Sequence, residues 1–368
     1  MRIAIDITQS QKTLTGLKTY ADNVINELKL IDNKNKYFYY CAPKISKKKI
    51  FIVSLLNGLI EIVWRQLLLP LKLYINKIDL YYTPGFYSPF FSTAKKIVVI
   101  HDLIFMKYPH EYNLLSYHYL KYSTKISIKR ADIVIATSKY TYNDILKDFS
   151  NINKDKIKII YAAAADHFRV IEDNSKIKNF KEKYNLSTPF FLYAGGLTLH
   201  KNIRGLLKIF ANFKASHDDF TSERYKLVLA GSSDVPEDIN NLIKKLNLNQ
   251  DIIFPGYISI EDLILLYNTA EMFLFPSLYE GFGIPPLEAM KCGCPVISSD
   301  KTSLPEVVGD GGILIDPKDK GKYVDAMDKI LSDNNFREGL IEKGFIQAQK
   351  FSWKKNAQDT LNVFNKFE

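Results

Sequence analysis

The chain has 368 residues, of which 46% are hydrophobic and 13% aromatic. This length exceeds the usual size of one domain, so we expect two domains of about 150 to 200 residues, each with its own core. The three cysteines, Cys41, Cys292 and Cys294, lack the spacing of metal ligands, so no structural zinc site is predicted, and a reducing compartment fits their number.

The net charge of +10 is unevenly distributed along the chain. Residues 1–165 contain 25 Lys and Arg against 12 Asp and Glu, whereas the remainder contains 25 against 28. The basic first half favours an anionic partner, either a bilayer surface or a phospholipid-linked acceptor, although a lysine-rich genome explains the excess equally well. No nucleic-acid-binding motif accompanies the charge, so nucleic acid is not expected as a partner.

The longest apolar stretch, residues 51–75, is interrupted by Glu61, Arg65 and Pro70 and is too broken to span a bilayer. Its apolar residues recur at helical spacing, which predicts one or two amphipathic helices packed on the core, with shallow membrane insertion as the less favoured alternative. The chain opens on a strand-like segment without a basic and apolar leader. We therefore expect a cytoplasmic protein, with peripheral contact at the inner face of the cell membrane left open.

In chain order, the first half alternates apolar strand-like runs with helical segments, which is typical of a parallel sheet. After the first strand, Gly16 stands at the mouth of a helix, where a glycine permits close approach of backbone to a ligand. A strand over residues 95–100 ends at His101 and Asp102, so both lie where open sheets bind ligands.

The second half also alternates strands and helices. It starts with the strand FFLYAGG, which is followed by a helix that begins near Lys201. The ammonium of Lys201 can neutralise a diphosphate leaving group there. The most informative stretch is residues 272–317. It begins with a buried strand, continues with a tight loop that contains Glu280, and then forms a helix with Glu288 in its first turn. Free backbone N–H groups at such a helix start bind anions, and carboxylates accept hydrogen bonds from sugar hydroxyls. Together these features predict a nucleotide-sugar site.

The segment YEGFGIPPLEAMKCGCPVISSD resembles the E-x7-E region of glycosyltransferase family 4, whose members are retaining enzymes of the GT-B fold. The resemblance implies that Glu280 contacts the donor sugar, that backbone amides around Phe282 and Gly283 hold its hydroxyls and phosphate, and that Glu288 binds the ribose. It implies a catalytic set of His101, Lys201 and Glu280. The implied donor-binding set is Gly16, Gly196, Lys201, Tyr257, Glu280, Gly281, Phe282, Gly283, Ile284, Leu287 and Glu288.

Other positions match the family pattern less completely. His101 resembles the family's histidine near the reacting sugar, where it acts as a base, a hydrogen-bond partner or both. Lys201 resembles the lysine of the G-R-x-x-x-x-K-N/G motif, but Gly196 stands at the position of the arginine, so diphosphate stabilisation would depend on Lys201, with help from His200 or Arg204. Gly256 and Tyr257 resemble the turn that lies against the nucleotide base.

The resemblance predicts an α/β protein of GT-B fold, with two Rossmann-like domains facing a central cleft. Residues 1–168 would bind the acceptor, residues 169–350 the nucleotide sugar, and a helix in 351–368 would cross back to the N-terminal domain. The predicted reaction is transfer of a hexosyl group, first mannosyl from GDP-mannose, to a glycan or polyprenyl-diphosphate-linked acceptor, as in bacterial mannosyltransferase-like enzymes of surface polysaccharide synthesis.

No cofactor or metal is expected, because no Asp-x-Asp lies in a suitable place and fixed protein charge can replace Mg²⁺. A UDP-sugar-dependent enzyme and a non-catalytic sugar-nucleotide-binding partner remain as alternatives. A nicotinamide-dependent sugar enzyme is disfavoured, because ITQSQKTLTGLK lacks the G-x-G-x-x-G pattern after the first strand.

Overall fold

The computed structural model describes residues 1–11, 16–44, 51–149, 152–217, 224–231, 234–256 and 258–368, with the backbone alone at 51–55. The chain forms two compact units, the first comprising Met1–Ala162 with Trp353–Glu368 and the second Ala163–Ser352. The sequence predicts boundaries after residues 168 and 350. Residues 163–165, all alanine, fall in the second unit, where Lys291 Nζ donates to the carbonyl of Ala164 at 2.9 Å.

The first unit is built on a parallel sheet whose central strands are buried on both faces. Its six strands run in the order β2-β1-β3-β4-β5-β6. Strands β3 and β5 contain four buried residues each, so they lack the alternation of a strand with one wet face. The strands are β1 Arg2–Asp6, β2 Lys36–Tyr40, β3 Leu80–Thr83, β4 Lys95–Ile100, β5 Ile133–Ala136 and β6 Ile157–Ile159.

The helices of this unit include the apolar stretch predicted to be helical. In chain order they are α1 Gly16–Ile31, α2 Phe51–Val63, α3 Leu69–Ile75, α4 Ile104–Lys107, α5 Leu114–Arg130 and α6 Lys139–Asp148. A five-residue π-helical segment, Trp64–Leu68, joins α2 to α3. The side chains of Asn113 and Ser138 cap the starts of α5 and α6 by accepting hydrogen bonds from backbone N–H groups.

The second unit contains the other parallel sheet, with six strands in the order β9-β8-β7-β10-β11-β12. These strands are β7 Phe190–Ala194, β8 Lys226–Ala230, β9 Ile252–Ile253, β10 Met272–Phe275, β11 Val296–Ser299 and β12 Ile313–Ile315. The helices described for it are α7 Asn174–Lys183, α8 Ile203–Ala215, α9 Glu237–Lys245, α10 Ile260–Thr269, α11 Ile284–Lys291, α12 Leu304–Val308, α13 Lys320–Ser332 and α14 Asn334–Gln349. The predicted α/β class with two Rossmann-like sheets is confirmed.

The last helix, α15 Trp353–Phe364, belongs to the first unit although it is far from it in sequence. Trp353 packs edge-on against Tyr20 with ring centroids 5.4 Å apart, and Phe364 packs in the same way against Tyr82 at 5.2 Å. The amide of Asn356 donates to the carbonyl of Tyr161 at 2.7 Å. The first unit therefore takes part of its core from the end of the chain.

The strand order of the second sheet fixes where a ligand can bind. The chain adds β8 and β9 on one side of β7 and then β10, β11 and β12 on the other, so the direction of winding changes between β7 and β10. The loops that follow these two neighbouring strands separate to opposite faces and leave a crevice at the carboxyl edge. Lys201 lies in the first of these loops and Glu280 in the second.

No helix in the described ranges combines the length and the hydropathy that crossing a membrane requires.

Candidate active site

An ion pair joins the two loops at the switch point of the second sheet. Lys201 Nζ lies 2.8 Å from Glu280 Oε1 and 2.9 Å from Oε2, although the residues are 79 positions apart. Both side chains are largely buried, and the ammonium lies 5.3 Å above the ring of Phe275. The two residues predicted as catalytic in this unit are therefore in direct contact. An ammonium has three N–H donors, so Lys201 can hold Glu280 and still donate to an anion.

The loop that carries Glu280 is held by the residues after β11. Glu280 N donates to Thr302 Oγ1 at 3.0 Å, and Thr302 itself adopts a left-handed backbone with φ of 56°. The buried hydroxyl of Ser303 lies 2.7 Å from the carbonyl oxygen of Phe282 and 3.0 Å from that of Glu280. Sequence reasoning did not identify Thr302 and Ser303. The sequence shows only two hydroxyl residues after a buried strand. The backbone groups that they bond lie about twenty residues earlier in the chain.

Helix α11 begins immediately after a glycine in a left-handed conformation. Gly283 has φ of 100°, and an added Cβ would lie 2.8 Å from Leu304 Cδ2, so both the backbone and the packing require glycine. Pro285 and Pro286 fit the first turn, where amides lack an intrahelical partner. The predicted donor residues Gly281 to Ile284 thus form the end of the Glu280 loop and the first residue of α11. Leu287, by contrast, is buried in the core, so only its backbone is available to a ligand.

Glu288 lies in the first turns of α11, half-buried, and accepts a hydrogen bond from the hydroxyl of Tyr267 at 3.1 Å. Withdrawal from solvent raises the pKa of the Glu288 carboxyl to about 7, and the Tyr267 hydrogen bond opposes the rise. The carboxylate therefore titrates near neutral pH. Burial raises the pKa of the neighbouring Cys292 thiol to about 12, and the charge of Glu288 adds to this rise.

The loop after β7 contains the position at which the family motif has arginine. Gly196 is there, and its carbonyl accepts a hydrogen bond from Tyr193 Oη at 2.7 Å. Asn202 ties this loop to the other by donating from Nδ2 to the carbonyl of Pro276 at 3.0 Å. Arg204, considered above as a substitute cation, is instead paired with Asp238 through Nε at 3.0 Å on the exposed surface.

His101 lies at the carboxyl end of β4 in the first unit. Its Nε2 is 2.9 Å from the carbonyl oxygen of Pro84, so Nε2 carries the proton and Nδ1 is an acceptor. Burial lowers the pKa of His101 to about 4, since the imidazolium form loses its hydration, and the Pro84 carbonyl offsets this only partly. The imidazole is therefore neutral at physiological pH. Tyr20 packs edge-on against it at 4.7 Å.

Two predicted donor residues remain. Gly16 is the exposed first residue of α1, and a Cβ there would meet nothing within 4 Å. Tyr257 lies outside the described residues, and its neighbour Gly256 has φ of 75°. Among the residues described, no group of three or more His, Cys, Asp and Glu side chains is arranged to hold a metal ion.

Comparison with known proteins identifies the family of the chain. Residues 174–347 match the family described as Glycosyl transferases group 1. Over 287 residues the chain is 32% identical to O-antigen chain mannosyltransferase B of Escherichia coli, covering 77% of this chain and 74% of that one. It is also 32% identical over 281 residues to the serotype-specific mannosyltransferase WbdA of Escherichia coli, but it spans only 33% of that longer protein.

Among solved structures, HepE of Anabaena in complex with UDP-glucose superimposes over 100% of both chains with a TM-score of 0.74 at 15% sequence identity. The fold is accordingly GT-B. The chain belongs to the group 1 glycosyltransferases, and it is an enzyme of that class.

Proposed function

We propose that this glycosyltransferase moves a hexosyl group, in the first place mannosyl from GDP-mannose, to a glycan or polyprenyl-diphosphate-linked acceptor in surface polysaccharide synthesis. The observation that carries the proposal is the Lys201–Glu280 pair beside the start of α11 at the switch point. The choice of mannose follows from the two Escherichia coli relatives, both named as mannosyltransferases.

In this proposal the donor lies along the carboxyl edge of the second sheet. Backbone N–H groups at Phe282, Gly283 and Ile284 receive the phosphate, aided by the positive end of α11. Glu280 accepts hydrogen bonds from sugar hydroxyls, and Glu288 accepts those of the ribose. Lys201, held beside Glu280, neutralises the departing diphosphate without the arginine that the motif would place at Gly196. Neither a metal ion nor a cofactor is required.

Retention of the anomeric configuration is proposed to follow a front-face route, in which the leaving phosphate helps to deprotonate the acceptor hydroxyl. The pKa of His101 is about 4, so its imidazole is a poor acceptor for the proton of an alcohol. This favours a role for His101 as a hydrogen-bond partner through Nδ1 over a role as the base. Trapping a covalent glycosyl-enzyme during turnover would contradict this route, and so would a product of inverted configuration by NMR.

The acceptor is proposed to approach the first unit, whose basic residues complement a diphosphate linker. Peripheral contact with an anionic membrane on the cytoplasmic side would bring the enzyme to such an acceptor.

A UDP-sugar is the second candidate donor, because the structure of HepE, similar over its whole length, was determined with UDP-glucose. Both donors offer the same ribose and diphosphate, so only contacts to the base and to the sugar hydroxyls distinguish them.

A thermal-shift screen tests the donor. The purified protein is heated with GDP, UDP, ADP and dTDP and with their common sugar conjugates, with and without EDTA. We expect a saturable shift by the GDP series that EDTA leaves unchanged. A shift confined to the UDP series would replace the donor, and the absence of any shift would overturn the proposed donor site.

A further inference from the structure

In the helical segment from Leu56 to Ile75, two charged side chains are buried while several large apolar side chains are exposed. The two charged residues between 56 and 71, Glu61 and Arg65, are both buried, and Arg65 is only 1% exposed. Arg65 Nη2 donates to Glu61 Oε1, its Nη1 donates to Tyr119 Oη at 2.9 Å, and its guanidinium lies 5.0 Å above the ring of Tyr87. A helix on the surface of a water-soluble protein normally has the opposite arrangement.

The outward side of the same segment forms a continuous apolar face. Leu67 is 66% exposed and Tyr74 is 67% exposed. The members of this outer face are Leu56, Leu59, Ile62, Val63, Leu67, Leu68, Leu71, Tyr74 and Ile75. Nine large apolar side chains along about 30 Å of helix exceed the scattered exposure that is normal for a monomer.

A neighbouring loop extends the outer face. Phe90 N donates to Gln66 Oε1 at 2.8 Å, which fastens the following residue, the exposed Phe91, beside the helix. The guanidinium of Arg130 lies 4.5 Å above the ring of Phe91. The apolar face thus has a cation at this margin.

Further cations lie at the end of the segment, where Lys72 and Lys77 are both exposed. Their charge indicates which partner fits the outer face. In a two-fold dimer formed through this face, the positive margins of both copies would meet and repel. An anionic bilayer complements the margin and also accepts the apolar side chains.

We propose that the outer face of residues 56–75, with Phe91, lies in the interfacial region of a membrane that contains anionic lipid. Because no described helix can cross a bilayer, the contact is with one leaflet. The apolar side chains enter the boundary between headgroups and acyl chains while the lysines meet lipid phosphates. Burial of the Glu61–Arg65 pair keeps these two charges away from the lipid.

Co-sedimentation with vesicles tests the proposal. The full-length protein is mixed with vesicles of phosphatidylcholine alone and of phosphatidylcholine with an equal part of phosphatidylglycerol. We expect binding to the anionic vesicles and at least about tenfold weaker partitioning of the double variant Leu67→Gln and Leu71→Gln. The matched control is Ile260→Gln with Ile346→Gln, which removes two exposed isoleucines of the second unit.

Four outcomes decide the question. Binding by the wild type and the control but not by the Leu67 and Leu71 variant supports the outer face. Absence of wild-type binding, or equal binding by all three proteins, overturns it. Light scattering without lipid identifies a second copy as the partner if the wild type is dimeric and the double variant monomeric. The nucleotide shift of each protein is measured in parallel, so loss of membrane binding with an intact shift separates this proposal from the donor assignment.

Discussion

Lys201 and Glu280 show how a buried ion pair can serve a reaction. An isolated carboxylate at the position of Glu280 would lose most of its hydration, and the ammonium 2.8 Å away compensates for that loss. The pair also fixes the ammonium in one place before any substrate arrives. Preorganised charge of this kind stabilises a leaving group without reorganisation during the reaction.

Removing the ammonium is expected to impair the reaction. It also leaves the largely buried carboxylate of Glu280 without its cation, so kcat is measured at a temperature where the variant is folded. Lys201→Ala should lower kcat by about 10²- to 10³-fold, because the departing diphosphate loses its fixed cation. Lys208→Ala, which removes an exposed lysine from α8, is the matched control and should retain wild-type kcat. Steady-state kinetics with saturating donor measures both. Full activity of Lys201→Ala would remove this residue from the proposed catalytic set.

Glu288 should make stability depend on pH. Its pKa is about 7 in the folded protein against an ordinary value of 4.5, so between these pH values the folded state keeps a proton that the unfolded state releases. Stability therefore falls as pH rises through this window, by up to about 3 kcal/mol. Glu288→Gln should be more stable than the wild type at pH 8 and similar to it near pH 4.

Urea titrations at several pH values measure this difference, with the exposed Glu342→Gln as the control. A Glu288→Gln variant that gains no stability at pH 8 would contradict the raised pKa. Nucleotide binding gives a second measurement, because a proposed ribose partner accepts hydrogen bonds best as a carboxylate. Nucleotide affinity of the wild type should weaken below pH 7, whereas that of Glu288→Gln should vary much less.

At the scale of elements, the start of α11 depends on one backbone conformation. Gly283 directs the chain from the Glu280 loop into the helix, and Ser303 holds the carbonyl of Phe282 from the other side. The N–H groups at this helix start have defined positions only while both contacts persist. The loop and the helix therefore act as one unit in the proposed donor site.

Gly283→Ala is expected to weaken donor binding and lower stability together. The alanine would have to adopt the positive φ of this position, and its Cβ would lie 2.8 Å from Leu304. Together these cost about 1 to 3 kcal/mol of stability. Gly339→Ala in α14 is the matched control. Its Cβ would meet nothing within 4 Å, so helix propensity predicts a gain of up to about 1 kcal/mol. Thermal unfolding and donor KM test both variants, and an unchanged KM for Gly283→Ala would contradict the assignment.

At the scale of the whole molecule, the first unit is completed by the end of the chain. Trp353, Leu361 and Phe364 fill its core next to residues that precede them by more than two hundred positions. This unit therefore cannot finish folding until the last helix has been synthesised. The second sheet, formed by a continuous run of chain, has no such requirement.

Trp353→Ala is expected to loosen the first unit selectively. Truncating a buried tryptophan costs about 3 to 5 kcal/mol. Hydrogen exchange should show lost protection in β1 and α1, while β10 and α11 keep theirs, and the nucleotide-induced shift should persist. Uniform loss of protection in both units would contradict this division of stability.

Local signals made the elements of this protein predictable from its sequence. Strand β10, the Glu280 loop and α11 follow from an apolar run, a glycine turn and two prolines, all of which act within a few residues. The resemblance of the same segment to a known family identified the type of donor. The predicted class, fold and candidate site residues could therefore be stated before any contact was known.

The tertiary structure decided what depends on distant neighbours. Lys201 and Glu280 are 79 positions apart, and only the reversal of strand order between β7 and β10 brings them together. The supports at Thr302 and Ser303 and the raised pKa of Glu288 likewise come from other elements. In residues 51–75 the periodicity predicted a helix with an apolar face packed inward. Trp64, Leu69 and Leu73 do pack into the core. The tertiary structure also buries Glu61 and Arg65 and leaves Leu67 and Leu71 exposed, which the periodicity could not show because burial depends on contacts with distant elements.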